Sequence, residues 1–179
     1  MKEIVLGGGC FWCTEAVFQR LKGVEHVESG YCGGNTDNPD YKAICTGQTG
    51  HAEVIKIRYD QNQISLATLL DFFFVFHDPT TLNRQGNDVG TQYRSVIYYA
   101  NEEEKRIAES AAKKASEIYD DPIVTEISPL PKYYPGEKYH QNYYMQNSSK
   151  GYCSFVIGPK VSKLMTKYHS HVKDEYQNA

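Results

Sequence analysis

The 179-residue chain has no excess of basic residues: 19 Lys and Arg against 22 Asp and Glu leave a formal charge of −3. That argues against a nucleic-acid-binding surface, which needs a basic patch or stripe. No run of acidic residues marks a disordered arm. No apolar stretch is long enough to span a membrane; "LLDFFFVF" is short and interrupted. The start, "MKEIVLGGGC", lacks the apolar length and the cleavage pattern of a signal peptide. A cytoplasmic protein with no membrane or nucleic-acid partner is the expectation. There is no internal repeat and no linker, so the chain reads as a single catalytic domain, 1–179, with 154–179 as an amphipathic C-terminal tail.

Other absences concern cofactors. "GGGCFW" offers the first glycines of a dinucleotide fingerprint, but Trp12 stands where the third small residue belongs. No phosphate-cradling lysine motif is present. The 5 cysteines are an odd number, in a chain large enough to bury its own core without disulfide staples. Cys10, Cys13, Cys32, Cys45 and His51 contain only one C-x-x-C, and Cys32 and Cys45 are not closely paired, so zinc is not expected.

What is present is a pattern of alternating elements. "KEIVLGG", "VEHVESGY", "EVIKIRYD", "YRSVIYYA" and "PIVTEI" read as strands. Helices are predicted over "CFWCTEAVFQRLKG", from a Ser65 cap through Phe73, and from an Asn101–Glu104 capping pattern through Ala115. "EKYHQNYYMQ" predicts one more helix, and Val161, Leu164 and Tyr168 form a stripe along the tail. The order β-α-β-β-α-β-α-β implies an α+β fold: a two-layer α/β sandwich with a split βαβ, ferredoxin-like core. Two long loops, around residues 33–52 and 77–92, are candidates for function.

Chemistry is expected at the first helix. Cys10 follows three glycines directly and stands at a helix mouth. Unpaired backbone N–H groups there favour an anion, so Cys10 is predicted to ionise more easily than an ordinary thiol. Cys13 falls on the Val17–Leu21 face, where a small apolar core residue is the leading reading and a redox partner the other. Glu53 shares a strand face with Ile55 and Ile57, and partial burial would raise its pKa toward that of a proton donor. Tyr41, Asp88 and Tyr93 come from the long loops or their edges; the hydroxyls suit an oxygen that gains negative charge. His51 and His140 read as structural histidines, and Cys45 as buried near the pocket.

The segments "GCFWCTE", "YKAICTGQTGHAE", "DVGTQYRS", "EKYHQNY" and "GYC" resemble the A-type peptide methionine sulfoxide reductases, in the family's order, from Gly7 to Cys153. The resemblance implies that Cys10 is the nucleophile and Glu53 the general acid. It implies that Phe11 and Trp12 wall the methyl pocket, and that Tyr41 and Tyr93, with Asp88, hold the sulfoxide oxygen. Cys153 matches the resolving cysteine, with Cys13 as a competitor. The implied activity is reduction of the S epimer of methionine sulfoxide, free or in oxidised proteins, recycled by thioredoxin. No cofactor is implied. A monomer that repairs oxidised proteins under oxidative stress is the expectation. The competing reading is a protein disulfide oxidoreductase working through Cys10–Cys13.

Overall fold

The structure is a computed structural model and describes residues 1–177, apart from the side chains of Cys153 and Ser154. Its elements run β1 (Lys2–Gly7), α1 (Phe11–Phe18), β2 (Val24–Cys32), α2 (Tyr41–Cys45), β3 (Ala52–Tyr59), α3 (Leu66–Phe76), β4 (Arg84–Gln85), β5 (Asp88–Val89), β6 (Val96–Tyr99), α4 (Glu102–Ser116), β7 (Glu126–Pro129), β8 (Tyr133–Pro135), α5 (Tyr143–Asn147), α6 (Gly158–Lys167) and α7 (Asp174–Gln177). One sheet has the order β7-β6-β1-β3-β2-β8, and β4-β5 forms a separate small ribbon. Strand β3 is antiparallel to both β1 and β2, so β1-α1-β2 is a βαβ unit split by β3. Strand β1 likewise splits β3-α3-β6. The expected ferredoxin-like core is therefore present. A parallel strand, β7, extends it at one edge, and β8 extends it at the other.

Alternation along β3 separates two environments. Ile55, Ile57 and Tyr59 face the main core under α1, α3 and α4. Ala52 and Val54 face a smaller cluster with Val5, Cys32, Val96 and Tyr98. A strand covered on both faces tolerates few polar residues, and Glu53 falls on the helix side of this one. The helices begin where local chemistry says they should. Ser65 Oγ accepts from the Thr68 amide at 3.1 Å. Asn101 Oδ1 accepts from the Glu104 amide at 2.9 Å, while Glu104 Oε1 accepts from the Ala100 amide at 2.8 Å.

Some elements differ from expectation. Helix α1 stops at Phe18, and the chain turns before Leu21 reaches the core. "EKYHQNYYMQ" is not one helix: a short 3₁₀ turn (Lys138–His140) and α5 are separated by Asn142, whose φ of 56° is left-handed. Both long loops carry structure, α2 in the first and the β4-β5 ribbon in the second. The stripe on the tail is as expected. Leu164 and Tyr168 pack against the main core, Val161 packs against the cluster around Cys10, and Val172 pairs back to Leu21.

Candidate active site

Cys10 caps α1 from an extended conformation, with Gly9 at φ 91° just before it. A side chain at Gly9 would meet Gln85 at 2.6 Å, so the protein's own β4 occupies the close approach that glycine allows here. Cys10 and Cys13 line a cavity of about 500 Å³ together with Gln85, Asp88, Tyr152 and Lys160. Cys13 therefore does not belong to the Val17 face. It packs with Cys10, Ala16 and Ile157 in a separate apolar cluster, while Phe11 from the same turn enters the main core.

The electrostatics of the two thiols reverse the simple helix-mouth expectation. Burial pushes the Cys10 thiol well above its ordinary value; a hydrogen bond to Cys13 and the nearby Glu53 add to this, and the Trp12 amide opposes it. Cys13 is drawn down to about 7 by the hydrogen bond from Cys10, against burial, with help from Lys160. The two thiols titrate as a pair, with the first charge drawn toward Cys13.

Glu53 is 1% exposed. Its Oε1 accepts from the Phe11 amide at 3.1 Å, which ties the carboxyl to the same helix mouth. Burial raises its pKa to about 8, and the charges of Asp88 and Cys13 push the same way. A proton on this carboxyl at neutral pH is what a donor beside a thiol requires.

Aromatic rings gather at the same helix start, although Phe11, Trp12, Tyr41 and Tyr93 are not among the residues that line this cavity. Phe11 lies 5.5 Å from Tyr31 and 6.4 Å from Tyr41, ring centre to ring centre. Trp12 stacks on Tyr143 at 3.8 Å and lies 6.0 Å from Tyr41. The Tyr41 and Tyr93 hydroxyls stay protonated. Burial and then the Glu53 charge raise both, and each also feels Cys10. The structure thus brings Cys10, Glu53, Tyr41 and Tyr93 into one electrostatic neighbourhood from α1, β3, α2 and the turn after β5. Asp88 joins them through Tyr152, whose hydroxyl donates to Asp88 Oδ2 at 2.9 Å and lies 3.9 Å from Cys13 Sγ. The side chain of Cys153 lies outside the described residues.

Sequence reasoning missed several residues. Glu137 accepts from the Tyr31 hydroxyl at 2.8 Å and from the Tyr41 amide at 2.9 Å, and so sets the start of α2. Tyr152 was legible only as the neighbour of Cys153 in "GYC". His140 is fully buried, and its Nδ1 accepts from Trp12 Nε1 at 3.0 Å. Its Nε2 lies 4.0 Å from Glu137 and lacks a hydrogen-bond partner among the described residues, so the histidine is only half satisfied. His51 is satisfied: Nδ1 accepts from Gly34, and Nε2 faces the Thr36 carbonyl at 2.7 Å. Cys45 is exposed rather than buried, because α2 turns it outward while Ile44 goes into the core. Among the described residues no cluster of His, Cys, Asp and Glu is arranged to hold a metal.

Comparison with known proteins gives a consistent answer. The family model for peptide methionine sulfoxide reductase matches residues 2–173. The chain is 56% identical over 175 residues to a peptide methionine sulfoxide reductase MsrA of Acinetobacter baumannii (strain SDF), covering 98% of this chain and all of the relative. Among solved structures it resembles Mxr1 from Saccharomyces cerevisiae in reduced form, with a TM-score of 0.79, 36% identity, and coverage of 85% of this chain and 88% of that one. It also resembles Mxr1 in complex with Trx2, with a TM-score of 0.55, 25% identity, and coverage of 79% and 84%. The chain belongs to the peptide methionine sulfoxide reductase family.

Proposed function

We propose that the chain reduces the S epimer of methionine sulfoxide, free or in oxidised proteins, to methionine by thiol chemistry at Cys10. The observation that carries this reading is a buried carboxyl, Glu53, protonated near neutral pH and anchored by the Phe11 amide to the helix mouth that holds Cys10. Family membership supports the substrate class. A disulfide oxidoreductase working through Cys10–Cys13 would leave that proton donor without a task.

The Cys10 proton passes to Cys13, and the Cys10 thiolate attacks the sulfoxide sulfur. Negative charge grows on the oxygen, where Glu53 donates its proton and the Tyr41 and Tyr93 hydroxyls donate hydrogen bonds. The attack forms a bond between Cys10 Sγ and the substrate sulfur; the protonated oxygen then transfers from that sulfur to Cys10 Sγ as the S–S bond and the original S–O bond break, so methionine leaves as the thioether and Cys10 becomes a sulfenic acid. The sulfoxide gains two electrons and Cys10 loses them. Phe11 and Trp12 hold the methyl group, since methyl-sulfur groups pack well on rings.

Cys153 is the thiol proposed to attack the sulfenic acid, giving a Cys10–Cys153 disulfide and water. Its neighbour Tyr152 already reaches Asp88 and Cys13, which brings this segment to the cavity. A second reading, resolution by Cys13, is favoured by one observation: Cys10 and Cys13 pack in one cluster and line the same cavity. Thioredoxin reopens the disulfide by thiol exchange. We place this repair activity in the cytoplasm, in a monomer; no helix among the described residues is long and apolar enough to cross a membrane. The direct test is a chiral assay with both sulfoxide epimers, using the wild type and Cys10→Ser. Turnover of the S epimer alone, lost in Cys10→Ser, is expected; activity surviving in that variant would remove the nucleophile assignment.

A further inference from the structure

Glu15 has no place in the mechanism above, yet it is 1% exposed on α1, one turn below the pocket. Its carboxylate accepts two successive backbone amides, Oε2 from Asn142 at 2.9 Å and Oε1 from Tyr143 at 3.2 Å. The left-handed backbone at Asn142 is what turns both N–H groups toward one carboxylate. Helix α5 has 5 residues and no side-chain cap of its own. A helix that short does not hold itself in water. Its position depends on α1: Glu15 at its start, Gln19 bonded to the Asn142 side chain at 3.2 Å, and Arg20 against Met145 and the Tyr144 ring.

The first ring of α5 is Tyr143, which lies on Trp12 at 3.8 Å and 8° from coplanar. The same stretch supplies His140, which receives the Trp12 indole N–H. Trp12 is thus gripped on its face and at its edge by one segment. Glu15 is the buried charged group that fixes where that segment begins. Burial raises its pKa to about 7, against its two amide bonds. A buried carboxyl costs stability that an apolar residue of similar size would not. Retaining one here gains geometry instead.

We propose that Glu15 is a positioning residue: by anchoring the start of α5 it holds Tyr143 on Trp12, and so fixes one wall of the substrate pocket. The proposal rests on Trp12 being a pocket wall. Glutamine in this place keeps one acceptor and turns an NH₂ toward the other amide, so Glu15→Gln breaks half of the anchor at nearly constant volume.

Trp12 is the chain's sole tryptophan, so its emission reports the grip directly, without substrate. In Glu15→Gln, the emission should move to the red as Tyr143 leaves the indole face. KM for methionine-S-sulfoxide should rise about tenfold while kcat stays within about twofold, as expected when uniform binding is lost. Tyr143→Leu should reproduce both effects. In the Tyr143→Leu background, Glu15→Gln should change KM by less than about twofold, because both substitutions cut the same connection. Unchanged emission and KM in Glu15→Gln, or effects that multiply in the double variant, would overturn the proposal. Should Glu15→Gln not fold, an unaltered emission and KM in Tyr143→Leu alone would do the same. Failure of the proposed activity is a separate outcome: the wild type would then be inactive on the sulfoxide, while the emission experiment would still report the anchor.

Discussion

Replacing Glu53 by glutamine removes its transferable proton at almost constant volume. The consequence can be worked from its burial. An ordinary glutamate at pH 7 holds its proton in about one molecule in 300, given the usual value of 4.5; at about 8, Glu53 holds it in about nine in ten. Burial therefore raises the population of the acid about 300-fold at neutral pH. Losing it should cost the sulfoxide reduction step about 10²–10⁴-fold, the range of a positioned general acid. The assay is a single turnover without reductant, following methionine released per enzyme as a function of pH. The wild-type rate should fall as pH rises through about 8. Glu53→Gln should be slow at pH 7 and lack that alkaline limb. A loss under about threefold at pH 7, or an unchanged alkaline limb, would refute the reasoning. Stability gives an independent arm. The folded state keeps this proton to about 8 and the unfolded chain loses it near 4.5, so between these values the native state binds more protons and stability falls as pH rises. The full contribution is about 5 kcal/mol. Denaturant titrations at acid and alkaline ends of that window should show a smaller loss in Glu53→Gln than in the wild type.

Three further outcomes are expected. In Cys13→Ala, alkylation of Cys10 should begin at a lower pH than in the wild type, where the charge and hydrogen bond of Cys13 hold the Cys10 thiol up; an unmoved alkylation profile would count against the shared proton. After exposure to substrate without reductant, mass spectrometry should find Cys10 joined to Cys153, and Cys153→Ser should accumulate the sulfenic acid. A Cys10–Cys13 disulfide in the wild type would transfer the resolving role to Cys13. Asn101→Ala should lower stability by about 1 kcal/mol in a denaturant titration, since it uncaps α4 far from the site; activity in folded enzyme should not change.

The core of the fold was legible because it is local and periodic. Alternation marked β3, and the Ser65 and Asn101 caps marked α3 and α4, since those signals lie within a few residues of their effect. The placement of Glu53 on the helix side of β3 followed from the same alternation. What escaped was everything decided across the chain. Cys13 is buried and apolar as its helical spacing from Val17 suggested, but its neighbours were hidden: it joins Cys10, Ala16 and Ile157, with the Tyr152 hydroxyl at 3.9 Å, and not the main core. Cys10 looked acidic because the helix mouth is a local feature; burial is not, and it dominates. Cys45 was expected in the interior because its neighbours form the pocket, whereas the orientation of α2 is set by Glu137, far along the sequence. Asn142 broke a predicted helix through a left-handed turn stabilised by Glu15, a partner no window of sequence contains.

The register of β3 carries one more implication. Glu53 pairs with Tyr31 on one side of the strand, and Ile55 pairs with Leu6 on the other. A strand so bonded on both edges cannot slide alone. Because faces alternate with every residue, adding or deleting one residue between Glu53 and Ile55 would turn the carboxyl to the opposite side of the sheet while the core stayed in place. Variation in chain length is therefore tolerated unevenly. The few residues after Glu53 set the parity on which the acid depends. A length-changing library across β3 should split into active and inactive members by odd and even count, as a combination lock does, and not by the number of residues added.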